Sequence, residues 1–228
     1  MLIPCLQKGI IPDVTITVDG NRELIVKWYD HDLVRKYGKQ LKICLITSVA
    51  NNVLKVCRKA ECQIYWYHPL FDDYRQNESF SRLQKYITAT KQNPEGAPLL
   101  QCGGHAGGAA WVLAWSVFKR SPVALIGIDL GYLENTPIEQ TAYYEALFKA
   151  TGGNIAEIMK SFREEYNPLF KTKAITDPIF YHYKISFLEM IAESPWWLKT
   201  VSCVEGGTLY GQGIEGMRFK QFLETYVK

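Results

Sequence analysis

The sequence predicts an α/β protein of Rossmann-like type, with a mainly parallel sheet, helices on both faces and a helical insertion in the C-terminal half. Short apolar runs rich in β-branched residues alternate with segments of helical periodicity, which is the order of elements in such folds. Glycine-rich turns and aspartates follow the predicted strands, where open α/β sheets bind ligands. At 228 residues, of which 47% are hydrophobic, the chain has the size and composition of a single domain spanning residues 1–228.

The first half of the chain alternates predicted strands with predicted helices. The strands are the runs VTITV, KICLIT and CQIYWY, and each is bounded by turn-forming or polar residues. Phe80, Leu83 and Ile87 recur at helical spacing, and Asn93-Pro94 ends that helix as a turn. In chain order the elements are strands at 14–18 and 42–47, a helix at 50–60, a strand at 62–67 and a helix at 79–91.

The second half contains the longest apolar run, VALIGI at 123–128, which is typical of a central parallel strand buried on both faces. An apolar helix precedes it and reaches about Lys119. The insertion, at about 136–195, is expected to hold amphipathic helices up to Asn167 and a further helix that opens at Asp177-Pro178. A last strand at 197–203 and a closing helix at 216–227 complete the predicted fold.

Composition excludes several classes of protein. The net charge of +3 is too mild, and the basic residues too scattered, to favour nucleic acid as a partner. The six cysteines show no metal-site spacing and are interpreted as free thiols. No apolar run is long enough to span a membrane, and no signal peptide is recognisable, so we expect a cytoplasmic protein with no membrane partner.

The turn Cys102-Gly103-Gly104-His105-Ala106 opens a helix of small residues and is the strongest local signal. Glycines let backbone amides approach a ligand, and a helix N-terminus favours an anion, so phosphate or pyrophosphate is the expected occupant. The alternative is close packing of this helix against the sheet without a ligand. His105 lies inside the turn, where it would contact a phosphate or act as an acid or base.

Asp19 and Asp129 each follow a predicted strand, and Gly20 and Asn21 continue the first of these turns. If the two strands are neighbours, the carboxylates would hold Mg²⁺ or a ribose hydroxyl. The alternative is that each aspartate caps the turn or helix after it. A further turn, Glu205-Gly206-Gly207, offers another carboxylate to a ligand or connects a strand to a loop without any such role.

Four motifs in this order resemble the MptE-like family. They are Pro12 to Asp19, GGHAGGAAWVLAW at 103–115, VALIGIDLGY at 123–132 and VEGGTLYG at 204–211. One branch of that family comprises 6-hydroxymethyl-7,8-dihydropterin diphosphokinases, and the other comprises the motility-associated-factor (Maf) glycosyltransferases. The similarity covers the chain from Pro12 to the C-terminus.

The resemblance to the pterin branch implies Mg²⁺-dependent transfer of pyrophosphate from ATP, the co-substrate, to a hydroxymethylpterin. It implies that Asp19 and Asp129 are the catalytic and metal-binding carboxylates. Gly103, Gly104, Ala106 and catalytic His105 would cradle the phosphates, with Gly20, Asn21 and the turn 205–207 also binding the nucleotide. The Maf branch implies a nucleotide sugar in the same crevice, and a third hypothesis is a non-catalytic binding protein.

Two departures from the family pattern bear on these expectations. Family members begin with a strand and a Gly-Pro-Ser phosphate loop, whereas this chain begins at the segment matching Leu2 to Pro12. Missing N-terminal strands would expose an apolar sheet edge, which favours a homodimer. The pterin branch also tends to carry a second aspartate where this chain has Thr17, which weakens the assignment of a metal site.

Overall fold

The computed structural model describes residues 1–20, 23–70, 72–73 and 75–227. Residue contacts divide the chain into two compact units, Met1–Leu113 and Ala114–Lys228. A single domain over residues 1–228 therefore stays a prediction. Among the described residues, no helix is long and apolar enough to cross a membrane.

The first unit is built around parallel strands that alternate with helices. Its described strands pair in the order β1, β2, β3, β4 and all of them run parallel. The strands are β1 (Thr15–Thr17), β2 (Lys42–Ile46), β3 (Gln63–Pro69) and β4 (Leu99–Leu100). The helices are α1 (Leu2–Gln7), α2 (Leu24–Tyr29), α3 (Asp32–Tyr37), α4 (Asn51–Lys59), α5 (Phe80–Ile87) and α6 (Ala106–Val112). The α/β prediction is confirmed, although α1, α2 and α3 were not predicted.

The core of the first unit lies against β2. Ile43 and Leu45 point to one face of the strand and pack with buried side chains from α1, α2, α3 and α4. Cys44 and Ile46 point to the opposite face and are buried as well. A strand buried on both faces must be apolar at every position, and this explains the continuous run ICLI. Each buried aliphatic side chain contributes about 1.5–3 kcal/mol.

The second unit has a parallel sheet and an antiparallel one. Its described strands form a parallel sheet in the order β10, β9, β5 and an antiparallel sheet in the order β6, β8, β7. The strands are β5 (Val123–Leu125), β6 (Tyr132–Leu133), β7 (Arg163–Asn167), β8 (Thr172–Thr176), β9 (Thr200–Ser202) and β10 (Ile214–Gly216). The helices are α7 (Tyr144–Ala150), α8 (Ile155–Ser161), α9 (Pro178–Ala192) and α10 (Phe219–Tyr226), and a π-helical turn spans Leu113–Val117.

The prediction of a buried central strand over 123–128 is wrong in its extent. β5 ends at Leu125, and the side chain of Ile126 is 50% exposed. Gly127 has φ +68, a left-handed conformation that a strand cannot continue through. Within the described residues, β5 pairs with β9.

The predicted helical insertion at about 136–195 also contains a β-hairpin. Helices α7, α8 and α9 lie within it, but β7 pairs antiparallel with β8, where helix was expected up to Asn167. β7 has the sequence REEYN and lies at the edge of the described sheet. Charged edge strands lack the apolar alternation by which strands are recognised, so sequence periodicity did not reveal this one.

Helix α9 begins where the sequence predicted. The side chain of Asp177 accepts hydrogen bonds from the amides of Ile179 and Phe180, both at 2.8 Å. Pro178 occupies the first helical position, where its missing N–H is not needed. Further along α9, the buried Lys184 ammonium forms an ion pair with the Glu165 carboxylate of β7. This pair fastens the helix to the hairpin.

All six cysteines are free thiols, as the sequence predicted. Burial raises the pKa of the Cys57 thiol to about 12 and that of Cys102 to about 11. These thiols are therefore protonated at neutral pH and are weak nucleophiles.

Candidate functional site

The turn that follows β5 presents Asp129. Leu130, the next residue, has φ +48 and is buried. Asp129 itself is exposed, yet burial of its carboxyl group by the surrounding protein raises its pKa above the ordinary value. Desolvation disfavours the charged form of a carboxylate, which makes it a stronger base. The turn thus offers solvent a carboxylate with increased proton affinity.

A second turn, from Glu205 to Thr208, follows β9 and is fastened to the Asp129 turn. The backbone amide of Thr208 donates to the Asp129 carbonyl oxygen at 2.8 Å, and its hydroxyl donates to the Leu130 carbonyl oxygen at 2.7 Å. Thr208 is fully buried, so these bonds are shielded from water. Because β5 and β9 are neighbouring parallel strands, both turns lie at the same carboxyl edge of the sheet.

Gly207 allows the two turns to approach. It has φ +68, and a Cβ atom at this position would lie 2.5 Å from the Asp129 carbonyl oxygen. Any other residue would meet both backbone strain and a direct clash with main-chain atoms. The glycine at 207 is therefore explained by the close approach of the two backbones.

The β-hairpin of β7 and β8, which the sequence did not predict, donates side-chain hydrogen bonds to both turns. The side-chain amide of Asn167, at the end of β7, donates to the carbonyl oxygens of Gly206 and Gly207 at 3.0 and 3.1 Å. The hydroxyl of Thr176, at the end of β8, donates to the Leu130 carbonyl oxygen at 3.0 Å. Asn167 and Thr176 are both fully buried. Sequence reasoning missed Asn167, Thr176 and Thr208, because no local pattern marks a contact between distant segments.

Glu205 is the second carboxylate on this pair of turns. It is exposed, has φ +57, and its carboxylate lies 3.8 Å from the Arg218 guanidinium. A non-glycine residue in the left-handed region carries strain that is commonly found at functional sites. The fastened turns therefore present Asp129 and Glu205 from neighbouring strand ends. We refer to residues 129–131 and 205–208 together as the paired turns.

In the first unit, the glycine-rich turn opens a helix, as the sequence predicted. Gly103 and Gly104 have φ +59 and +81, and α6 begins at Ala106. His105 is the N-cap of α6, because its Nδ1 accepts a hydrogen bond from the Gly108 amide at 3.2 Å. An added Cβ at Gly108 would lie 2.5 Å from the Cys102 carbonyl oxygen, so the turn packs closely on itself.

Burial lowers the pKa of His105 to about 4. The imidazole is therefore neutral at pH 7, with Nδ1 as a hydrogen-bond acceptor. A neutral cap gives a phosphate no positive charge, so the geometry favours a structural role for this side chain. Phosphate binding by Gly103, Gly104 and Ala106, and acid–base chemistry by His105, stay predictions.

Asp19 and Gly20 follow β1, as predicted. Asp19 is exposed, and Gly20 packs against the turn after β2, where an added Cβ would lie 2.8 Å from the Ser48 carbonyl oxygen. Asn21 lies outside the described residues. Asp19 belongs to the first unit and Asp129 to the second, so their pairing around a metal stays a prediction.

A further polar cluster at the carboxyl ends of the first sheet did not stand out in the sequence. The Thr47 hydroxyl lies 2.6 Å from Nδ1 of the buried His68, and burial lowers the pKa of that histidine. The Tyr67 hydroxyl donates to the Thr17 carbonyl oxygen at 2.6 Å. These bonds connect β1, β2 and β3 near the Asp19 turn, and only the tertiary fold reveals them.

The residues present offer limited support for a resident metal. Among the described residues, no group of three or more His, Cys, Asp or Glu side chains converges on one point. Mg²⁺ commonly binds through one or two carboxylates together with substrate phosphates, a mode that either Asp19 or Asp129 would suit. A Mg²⁺ site at either carboxylate stays a prediction.

The strand order of both parallel sheets and the turns at their carboxyl ends define an α/β protein of Rossmann-like type. Among solved structures, the chain is similar to a Maf glycosyltransferase from Magnetospirillum magneticum AMB-1, with a TM-score of 0.60 and 12% sequence identity. The match covers 94% of this chain and 28% of that protein, so the chain spans little more than a quarter of its length. No protein-family profile and no curated protein matches the sequence. At this identity the likeness establishes the fold alone.

Proposed function

We propose that this chain is a glycosyltransferase domain of the Maf type, which transfers a sugar from a nucleotide sugar to a hydroxyl acceptor. The observation that carries the proposal is the exposed Asp129, whose pKa is raised, on a turn fastened to the end of a neighbouring parallel strand. Ligands of open α/β sheets bind at this edge. The similarity in fold to a Maf glycosyltransferase supports the same interpretation.

The proposed reaction assigns Asp129 the role of general base. The Asp129 carboxylate takes the proton from the acceptor hydroxyl as the acceptor oxygen forms a bond to the anomeric carbon of the sugar. The bond from that carbon to the nucleotide phosphate breaks, and the nucleotide leaves with the bonding electron pair. A base with raised proton affinity and a fixed position suits this step, because general-base catalysis requires both.

The paired turns would supply rigidity rather than charge. Thr208 and Thr176 hold the backbone of Asp129 and Leu130 with buried hydrogen bonds, and Asn167 holds the adjoining turn at Gly206 and Gly207. A catalytic group held in this way needs little reorganisation when the substrate binds. Glu205, on the adjoining turn, is proposed to accept hydrogen bonds from sugar or ribose hydroxyls.

A ligand thermal-shift screen tests the proposal first, because a ligand that binds the native state raises its stability. The full chain is heated with CMP-, UDP- or CDP-linked sugars and, in separate samples, with Mg²⁺, ATP and hydroxymethylpterin. We expect stabilisation by at least one nucleotide sugar and none by the ATP and pterin mixture. Stabilisation by ATP and pterin alone would replace this proposal with the diphosphokinase hypothesis, and no shift with any ligand would favour a non-catalytic protein.

A further inference from the structure

Exposed aromatic and aliphatic side chains lie in the segments that lead into β5 and β9, at the ends of these strands opposite the paired turns. The side chain of Trp196 is 96% exposed, and Val117, Phe118 and Trp197 are exposed as well. A single apolar residue on a surface needs no explanation, but a group with a fully exposed tryptophan indicates an interaction site. Val117 and Phe118 precede β5, and Trp196 and Trp197 precede β9.

Hydrogen bonds hold these two segments side by side. The Ser121 hydroxyl donates to the Trp197 carbonyl oxygen and accepts from the Lys199 amide, each at 3.0 Å. The Val123 amide donates to the Lys199 carbonyl oxygen at 2.8 Å. The indole of Trp115 meets that of Trp197 edge to face, with ring centroids 6.3 Å apart. The aromatic group is therefore presented by a fixed framework.

Two cations lie in the segment that carries Phe118. Lys119 and Arg120 follow Phe118 directly, are both exposed, and form no ion pair among the described residues. Lys199 is neutralised locally by Glu215, whose carboxylate lies 3.1 Å away. We define residues 117–120 together with Trp196 and Trp197 as the aromatic–basic patch. Its charge is complementary to an anionic surface.

We propose that the aromatic–basic patch docks the protein on the surface of an anionic lipid bilayer. Tryptophan partitions to the headgroup region because its ring is apolar and its N–H needs a polar partner. Lys and Arg beside it gain electrostatic attraction from anionic headgroups, and stable peripheral binding requires both contributions. The sequence led us to expect no membrane partner because it lacks a spanning segment, but surface docking requires no such segment.

The docked orientation would leave the paired turns accessible. The patch lies at the amino ends of β5 and β9, whereas Asp129 and Glu205 follow their carboxyl ends. A bilayer bound at one end of these strands therefore does not cover the other. Docking of this kind uses neither a sugar substrate nor the two carboxylates, so it is independent of the proposed transferase activity.

Vesicle co-sedimentation of the full chain tests the proposal. The protein is mixed with vesicles of phosphatidylcholine alone, or of phosphatidylcholine and phosphatidylserine, at low salt. We expect binding to the phosphatidylserine vesicles and at least about fivefold weaker binding to the neutral ones. Raising the salt from about 0.1 M to about 1 M shortens the screening length and should release the protein.

Variants separate the two contributions of the patch. Trp196→Ala should weaken binding about tenfold or more, and Lys119→Gln and Arg120→Gln about fivefold each. The matched controls are Trp28→Ala, at an exposed tryptophan of α2, and Lys59→Gln with Lys91→Gln, at exposed lysines elsewhere. All controls should bind like the wild type.

Three outcomes would overturn the docking proposal. The first is equal binding to neutral and anionic vesicles, and the second is wild-type affinity in Trp196→Ala. The third is self-association of the wild type, abolished by Trp196→Ala, with no vesicle binding, because the patch would then join two copies of the chain. Circular dichroism of each variant establishes that loss of binding is not loss of fold.

Discussion

The Thr208 amide donates a hydrogen bond to the Asp129 carbonyl oxygen at 2.8 Å, joining residues that lie far apart in the chain. The bond brings the turn after β9 against the turn after β5. It fixes the backbone that carries the candidate general base. If the paired turns position Asp129, substitutions in and around them should have separable effects on activity and on stability.

Asp129→Asn should lower kcat/KM for sugar transfer by at least about a hundredfold, because the amide cannot accept the acceptor's proton. The fold should be retained, since the Asp129 side chain is exposed. Steady-state kinetics with the nucleotide sugar found by the thermal-shift screen, together with thermal melting, check both statements. Asp13→Asn, at an exposed aspartate before β1, is the matched control. Unchanged kinetics in Asp129→Asn would remove Asp129 from the mechanism.

Thr208→Val should lower the free energy of unfolding by about 0.5–1.5 kcal/mol, because the Leu130 carbonyl oxygen loses one of its two buried hydrogen bonds. Thr208→Ser keeps the hydroxyl and should fall closer to the wild type, with a smaller loss from the missing methyl group. Urea unfolding measures both values. If valine and serine destabilise equally, the hydroxyl does not fasten the turns.

Gly207→Ala should destabilise the protein by about 2 kcal/mol or more, since its left-handed φ is accompanied by a main-chain clash 2.5 Å away. Gly152→Ala provides the comparison, because Gly152 has φ +61 but an added Cβ would meet nothing within 4 Å. It should cost only the conformational strain, about 1 kcal/mol. Equal losses in the two variants would mean that the Asp129 turn moves aside without penalty.

His105→Asn should flatten the dependence of stability on pH. The folded pKa of His105, about 4, lies below its ordinary value of 6.5, so between these values the unfolded state binds more protons. The contribution of neutral His105 to the free energy of unfolding is therefore complete above about pH 6.5. It is lost as the pH falls through 4, and the loss amounts to about 2–3 kcal/mol. Asparagine retains the cap without titrating. Urea unfolding of both proteins between pH 4 and pH 7 isolates the contribution of His105, and parallel pH profiles would contradict the prediction.

Lys184→Met should destabilise the protein by about 3–5 kcal/mol, because it leaves the Glu165 carboxylate buried without its cation. The Lys184 ammonium also lies 4.2 Å from the centre of the Tyr210 ring, so this contact is lost as well. The double variant Lys184→Met with Glu165→Leu removes both charges and should recover most of the stability. A double variant no more stable than the single one would contradict the prediction, because the loss would then not come from the unpaired Glu165 carboxylate.

Features of the fold that depend on local chemistry were predictable from the sequence. The run KICLIT indicated a strand, and Asp177-Pro178 indicated the start of α9, because capping and patterning act over a few residues. The hairpin was missed because REEYN carries its charges on an edge strand. Pairing of β7 with β8 stabilises it in spite of weak local preference.

The sequence indicated where the candidate site lies, but it did not indicate the hydrogen bonds that hold the two turns together. Strand-end residues such as Asp129 and Glu205 were recognised, because the carboxyl edge of a parallel sheet is where ligands bind. The hydrogen bonds from Thr208 and Asn167 join distant segments and have no signature in sequence. His105 was expected to contact a phosphate, whereas in the structure its side chain caps α6. This cap depends on the rotamer of His105, which the sequence does not determine.

The contact between the paired turns affects how the sequence of this protein can change in evolution. It is made by main-chain carbonyl oxygens, a backbone amide and the hydroxyl of Thr208, so it does not involve the side chains at positions 129 and 205. A descendant of this protein is free to exchange either carboxylate while the scaffold beneath it keeps its shape. Single substitutions at position 129 or 205 can therefore change the chemistry at this edge of the sheet without disrupting the fold.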